Sequence, residues 1–101
     1  MSEPQQILID CEEARVRIMT LQGKEEVPWH THSVVTDNIF CLEGRIGIDL
    51  LDPPQNVTLH PGDRCEIACR RPHRVANPGN ERARYLLVQG GGRYDFIAVA
   101  R

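Results

Sequence analysis

His30 and His32, in the stretch PWHTHSVVTDNIFCLEG, stand one residue apart, and Asp37 follows five positions after His32. On an extended chain the side chains at i and i+2 share a face, with Cα atoms roughly 6.5 Å apart. Two neutral imidazoles placed so can both reach one divalent ion, because metal–nitrogen bonds are about 2.0–2.1 Å long. The intervening Ser33-Val34-Val35-Thr36 can turn the chain so that Asp37 faces the pair. His73 is a fourth candidate, preceded by Pro72 and followed at the same parity by Val75 and Asn77. Three imidazoles and a carboxylate suit Mn, Fe, Ni, Cu or Zn and leave coordination positions open for water or substrate. Taken singly, the same residues also fit a polar loop leading into a strand. The remaining histidine, His60 in LHPGD, reads as an exposed turn residue.

The elements that must position these groups are short strands. Gly23, Pro28, Gly44, Pro53-Pro54, Pro61-Gly62, Pro72, Pro78-Gly79 and Gly90-Gly91-Gly92 punctuate the chain. Between them lie the runs ARVRIMTL, DNIFCLE, RIGIDLL, NVTLH, RCEIAC, HRVAN, ARYLLVQ and YDFIAVA. Several alternate polar and apolar residues, as in Arg15-Val16-Arg17-Ile18 and Arg45-Ile46-Gly47-Ile48-Asp49-Leu50, which is the period of a strand with one buried face. No window carries a 3.6-residue stripe. Regular short strands between turn signals predict an all-β sandwich or barrel with little helix.

The bulk properties narrow the function classes. With 101 residues the chain reads as one domain, residues 1–101, with a barrel core of about 14–99 and an N-terminal segment 1–13. A formal charge of -2 gives no general attraction to nucleic acid, and acidic residues and prolines interrupt the local arginines. The N-terminal MSEPQQILIDCEEARV lacks the positive start and apolar centre of a signal peptide, and no apolar stretch approaches the ~20 residues of a membrane-spanning helix. The expected compartment is the cytoplasm, with no membrane partner. Cys11, Cys41, Cys65 and Cys69 are therefore expected as reduced, buried thiols, and Cys41 as an inert one. A core this thin makes a homodimer a reasonable expectation, because pairing would cover exposed strand edges.

The combination of motifs resembles the cupin family. His30-x-His32, Asp37 and Gly44 follow the order of its first motif, and PGDRCEIACRRPHRVAN, with Gly62-Asp63, His73 and Asn77, is similar to its second. The linker RIGIDLLDPPQNVTLH has the length and strand–turn–strand character of the smallest members. There are departures: Asp37 stands where the family has glutamate, Ala68 and Arg70 replace a proline and a glycine, and Gly23 lies one position too far from His30. The shorter carboxylate would bind through one oxygen, need a closer backbone, or act through water. The lost proline and glycine imply a slightly different turn before His73.

The resemblance implies a cupin double-stranded β-helix, a jelly-roll-like barrel of two antiparallel sheets. A divalent transition metal (Mn, Fe, Ni, Zn or Cu) would lie inside one end, held by His30, His32, Asp37 and His73. Ile39 and Cys41 share the parity of Asp37 and are expected to point inward. Ile46, Ile48, Leu50, Cys65, Ile67 and Val75 are candidates for an apolar pocket, or for ordinary core. Trp29, of opposite parity to His30, is expected outside. Arg45, Arg64, Arg70 and Tyr85 are conceivable partners for a substrate carboxylate, each more naturally read as a surface residue. A metal-dependent enzyme acting on a small polar organic molecule, dioxygenase-like or isomerase-like, is the leading expectation. The alternatives are a non-catalytic ligand- or metal-sensing module and a structural cupin with a vestigial site.

Overall fold

The computed structural model describes residues 4–101. Ten strands follow in order: β1 (Gln5–Asp10), β2 (Ala14–Leu21), β3 (Glu26–Thr31), β4 (Thr36–Glu43), β5 (Ile46–Leu50), β6 (Gln55–Leu59), β7 (Arg64–Ile67), β8 (His73–Ala76), β9 (Ala83–Gly90) and β10 (Ile97–Ala98). They form two five-stranded sheets, ordered β1-β2-β9-β4-β7 and β10-β3-β8-β5-β6. Every pairing is antiparallel. There is no helix among the described residues. This is the double-stranded β-helix expected from the sequence.

The period-two pattern decides which residues face the interior between the sheets. In β9 burial alternates strictly, with Ala83, Tyr85, Leu87 and Gln89 inside. In β4 the inner residues are Asp37, Ile39 and Cys41, and in β5 they are Ile46, Ile48 and Leu50. Ile39 and Cys41 therefore point inward as expected. Ile46, Ile48, Leu50 and Ile67 are packed in the core, at 0–3% exposure, and do not line the cavity described below. Val75 does both.

Four expectations need correction. In β2 the alternation holds, but the buried member is Arg17, at 7% exposure, while Val16 and Ile18 on the other face are only half-buried. The inner face of β2 at this level looks onto polar residues, so a charged side chain is accommodated there. Tyr85 is not a surface residue: it is 1% exposed, since it shares the parity of Ala83 and Leu87. Of the four cysteines only Cys41 is buried. Cys11 is exposed, and Cys65 and Cys69 are half-buried, because they sit on loops or near sheet edges. In YDFIAVA only Ile97 and Ala98 pair as strand, and Tyr94–Phe96 is irregular, with Tyr94 and Phe96 lining the cavity described below. Trp29 lies half-buried on the outside against Arg74 and Arg101, and Arg45, Arg64 and Arg70 are exposed, as read from the sequence.

Two turns bear directly on the histidines. Arg70 takes φ of 65° although it is not glycine, so the turn before His73 keeps the left-handed conformation that the lost glycine would have allowed. The Arg70 amide donates to the His32 carbonyl at 2.7 Å, tying this turn to the other histidine pair. Asn77, at 3% exposure, donates through Nδ2 to the carbonyls of Leu21, Gln22 and Glu81, and its Oδ1 accepts from the Gly79 amide. It locks the loop that ends β2 to the loop that follows β8.

Candidate metal centre

The two sheets contribute different chemistry to one end of the interior. Asp37 comes from β4, His30 from β3, His73 from β8, and His32 from the residue after β3. His30 and His73 are direct cross-strand partners. A register irregularity between Val27 and His30 re-aims β3 just before the pair. All four side chains are buried, at 1–4% exposure. One ligand atom from each lies within 4.8 Å of all the others, a donor set able to hold a metal ion.

The backbone fixes which ring nitrogen faces inward. His30 Nδ1 donates to the Pro28 carbonyl at 2.7 Å, His32 Nδ1 to the Asp95 carbonyl at 2.6 Å, and His73 Nδ1 to the Arg71 carbonyl at 2.8 Å. A carbonyl can only accept, so each Nδ1 carries the proton and each Nε2 keeps a lone pair. Asp37 Oδ2 sits 3.3 Å from His32 Nε2 and 3.2 Å from His73 Nε2. His73 Nε2 is buried with no hydrogen-bond partner. Three lone pairs and a carboxylate oxygen facing one point repel one another unless a positive charge lies between them. The orphaned His73 nitrogen and the oxygen–nitrogen donor set therefore fit a divalent transition metal.

The electrostatics point the same way. Burial holds Asp37 toward the neutral form, but His32, His73 and the Gln89 amide more than offset it and keep the carboxyl well below the usual range. Burial also disfavours a charged His32, yet the contact with Asp37 and the Asp95 carbonyl outweigh burial and raise its pKa. His30 is pushed down to about 4, chiefly by burial, against the Pro28 carbonyl and with help from the neighbouring imidazoles. The cluster thus attracts positive charge while His30 remains a neutral imidazole with a lone pair free to ligate.

Gln89, which the sequence reading did not single out, organises the carboxylate. It is 1% exposed and is the cross-strand partner of Asp37. Its Nε2 donates to Asp37 Oδ1 at 3.0 Å, leaving Oδ2 for the imidazoles, and its Oε1 accepts from Arg17 Nη2 at 2.9 Å. A carboxylate only accepts and a guanidinium only donates, so the amide has one orientation. Arg17, Gln89, Tyr94 and Phe96 also line the site. The only signal for Gln89 in the sequence was its parity with Tyr85 and Leu87. Phe96 stacks on His30 with centroids 4.3 Å apart, and Tyr94 lies 5.5 Å from His32. His60 is exposed, away from the cluster, as expected of a turn residue. A cavity of about 130 Å³ adjoins the four side chains, its apolar wall including Met19, Val27, Ile39 and Leu87.

Two antiparallel sheets closed around a buried His/His/Asp/His cluster define a double-stranded β-helix protein with a metal-capable centre. The cupin domain family model matches residues 17–89, and the chain belongs to that family. No curated protein sequence matches it. Among solved structures it is similar to a conserved protein with a double-stranded beta-helix domain from Klebsiella pneumoniae, with a TM-score of 0.83 at 16% identity, covering 96% of this chain and 84% of that one. It is also similar to an oxalate oxidase, with a TM-score of 0.79 at 14% identity, covering 86% of this chain and 46% of that one. The oxalate decarboxylase of Lactobacillus farciminis, in a formate complex, gives a TM-score of 0.78 at 18% identity, covering 87% of this chain and 27% of that one. The chain thus spans less than half the length of either oxalate enzyme. No helix among the described residues is long and apolar enough to cross a membrane.

Proposed function

We propose that the chain, residues 1–101 taken as one cupin domain, is a small metalloenzyme. His30, His32 and His73 would hold a divalent first-row transition metal through Nε2, and Asp37 would hold it through Oδ2. The observation that carries this reading is the set of three Nδ1–carbonyl hydrogen bonds, which aim three unprotonated nitrogens at one carboxylate oxygen. When bound, the metal supplies Lewis-acid or O₂-activating chemistry at its open positions.

The residues around the site favour an O₂-dependent oxidoreductase, dioxygenase-like, over an isomerase or lyase. The latter need a positioned acid–base pair of suitable pKa. Here Asp37 is committed to the histidines and Gln89, while burial raises the Tyr85 phenol above its ordinary value and keeps it protonated. The cavity of about 130 Å³ limits the substrate to a small molecule; an apolar cavity of ~150 Å³ holds a benzene. The neighbour named as an oxalate oxidase supports the view that this fold can carry such chemistry on small polar substrates.

The test is metal analysis of protein purified without a histidine tag, beside His32→Ala. The expected result is about one equivalent of metal in the wild type and strong depletion in the variant. Equal and negligible metal in both overturns the reading. Oxygen uptake by Fe- or Mn-loaded protein with small diketones, thiols and carboxylates then addresses turnover. A second reading, a ligand- or metal-sensing module, draws on the Asp95 carbonyl and Phe96 ring, which join the site to the C-terminal segment. Ligand-induced stabilisation with no turnover would favour it.

A further inference from the structure

The cavity wall carries a charge that the metal centre does not use. Arg17 is 7% exposed and lines the cavity beside the histidines. Its Nη1 donates to Gln5 Oε1 at 2.8 Å and its Nη2 to Gln89 Oε1 at 2.9 Å, both neutral acceptors. Its Nε is buried and has no hydrogen-bond partner. Ion pairs among the described residues engage Arg15, Arg74, Arg82 and Arg93, but none engages Arg17. Tyr94 closes over it, with the Arg17 guanidinium carbon 5.3 Å from the ring centroid. Buried charges are ordinarily paired, and an arginine presents a fork shaped for a carboxylate. The nearest acid of the site, Asp37, is separated from Arg17 by the Gln89 amide, which bonds to both.

We infer that Arg17 is the recognition residue for an anionic group and that the molecule taken into this cavity is a small carboxylate. Its carboxylate meets the guanidinium, while the rest of the molecule extends along the apolar wall toward the histidine cluster. A dicarboxylate or larger acid with no apolar part would leave Val27, Ile39 and Leu87 against charge, so a monocarboxylate with a short carbon chain fits best. The inference deepens the metalloenzyme reading and rests on it for the carboxylate being a substrate. Nothing in the residue pattern points to it, because Arg17 alternates with Val16 and Ile18 as a surface arginine would.

The test is calorimetric titration of the zinc-loaded protein with propionate and with its neutral analogue propionamide. Wild type is expected to bind propionate about tenfold or more tightly than propionamide. Arg17→Gln, compared at saturating zinc, is expected to lose that preference. Equal binding of the two compounds, no propionate binding, or unaltered propionate binding by Arg17→Gln overturns the inference. If the variant fails to fold, the propionate–propionamide comparison on metal-free wild type, where no zinc can capture the carboxylate, decides the matter, and equal binding there overturns the inference. Capture of propionate by the metal alone would survive in Arg17→Gln, so it is recognised as an overturning result. A wild type that takes up no zinc defeats the metalloenzyme reading instead, and the propionate–propionamide comparison on that metal-free protein still judges Arg17.

Discussion

Single side chains set the properties of the centre, and Gln89 shows how. Its amide holds one oxygen of Asp37 and one nitrogen of Arg17, so replacing it by leucine strands an ionised acceptor and a guanidinium donor in the interior. Gln89→Leu is expected to weaken metal binding about 10- to 100-fold, as second partners of ligands commonly do. It is also expected to destabilise the protein by about 2 kcal/mol, the cost of unsatisfied buried polar groups. Competition with a metal chelator and urea unfolding of the apoprotein measure the two effects separately. The shortness of Asp37 does not keep its carboxylate from the histidines. Its Oδ2 is already within 3.3 Å of two imidazoles, because Gln89 holds the other oxygen and turns the carboxylate toward them.

At the level of elements, turns and strand faces carry the site. Arg70 holds a left-handed φ of 65° with an exposed side chain. Arg70→Gly is expected to stabilise the fold by about 0.5–1 kcal/mol, since a non-glycine residue pays steric strain there that exceeds glycine's extra chain entropy. Thermal unfolding should show a raised Tm, with unchanged metal content because the His32 carbonyl still receives the residue 70 amide. Asn77 is the opposite case. Asn77→Ala removes donors to three carbonyls at the junction of the β2 and β8 loops, and a loss of about 2–4 kcal/mol is expected from chemical denaturation. The eight β-rich runs marked by proline and glycine correspond to strands, with boundaries shifted by a residue or two, except that YDFIAVA keeps only a two-residue strand. β1 was not legible, since QQILID is exposed on both faces and alternation there follows no buried side. β3 was masked by Pro28 and by the register irregularity that follows Val27.

For the whole molecule, the centre links folding to pH and to metal. His30 has a folded-state pKa near 4, depressed chiefly by burial, against an ordinary value of 6.5. A group depressed in this way favours the folded state above the higher value, and the contribution is lost as pH falls from about 6.5 toward 4. Urea midpoints of the apoprotein are therefore expected to fall across that window, and His30→Gln to flatten the decline. A metal held by the folded cluster and not by the dispersed residues of the unfolded chain would add about 2.7 kcal/mol at 100 times its Kd. Chelation is then expected to lower the Tm of a chain this size by about 10–20 °C, read by calorimetry with and without EDTA.

What the sequence determined by itself was the local physics: alternation with a period of two, turns where proline and glycine interrupt it, and the spacing of His30, His32, Asp37 and His73. Those features are local or repeat a known motif order, so they can be read without coordinates. The family match over residues 17–89 agrees with that reading. Only the tertiary structure decided which polar residues of the alternating strands face inward. Arg17 and Gln89 look in sequence like the solvent side of β2 and β9, and Tyr85 like a surface phenol. Pairing of β2 with β9 and of β9 with β4 turns all three into the interior beside Asp37. The reason is physical: a strand's pattern says that it has two faces, and only packing against the second sheet says which face meets water.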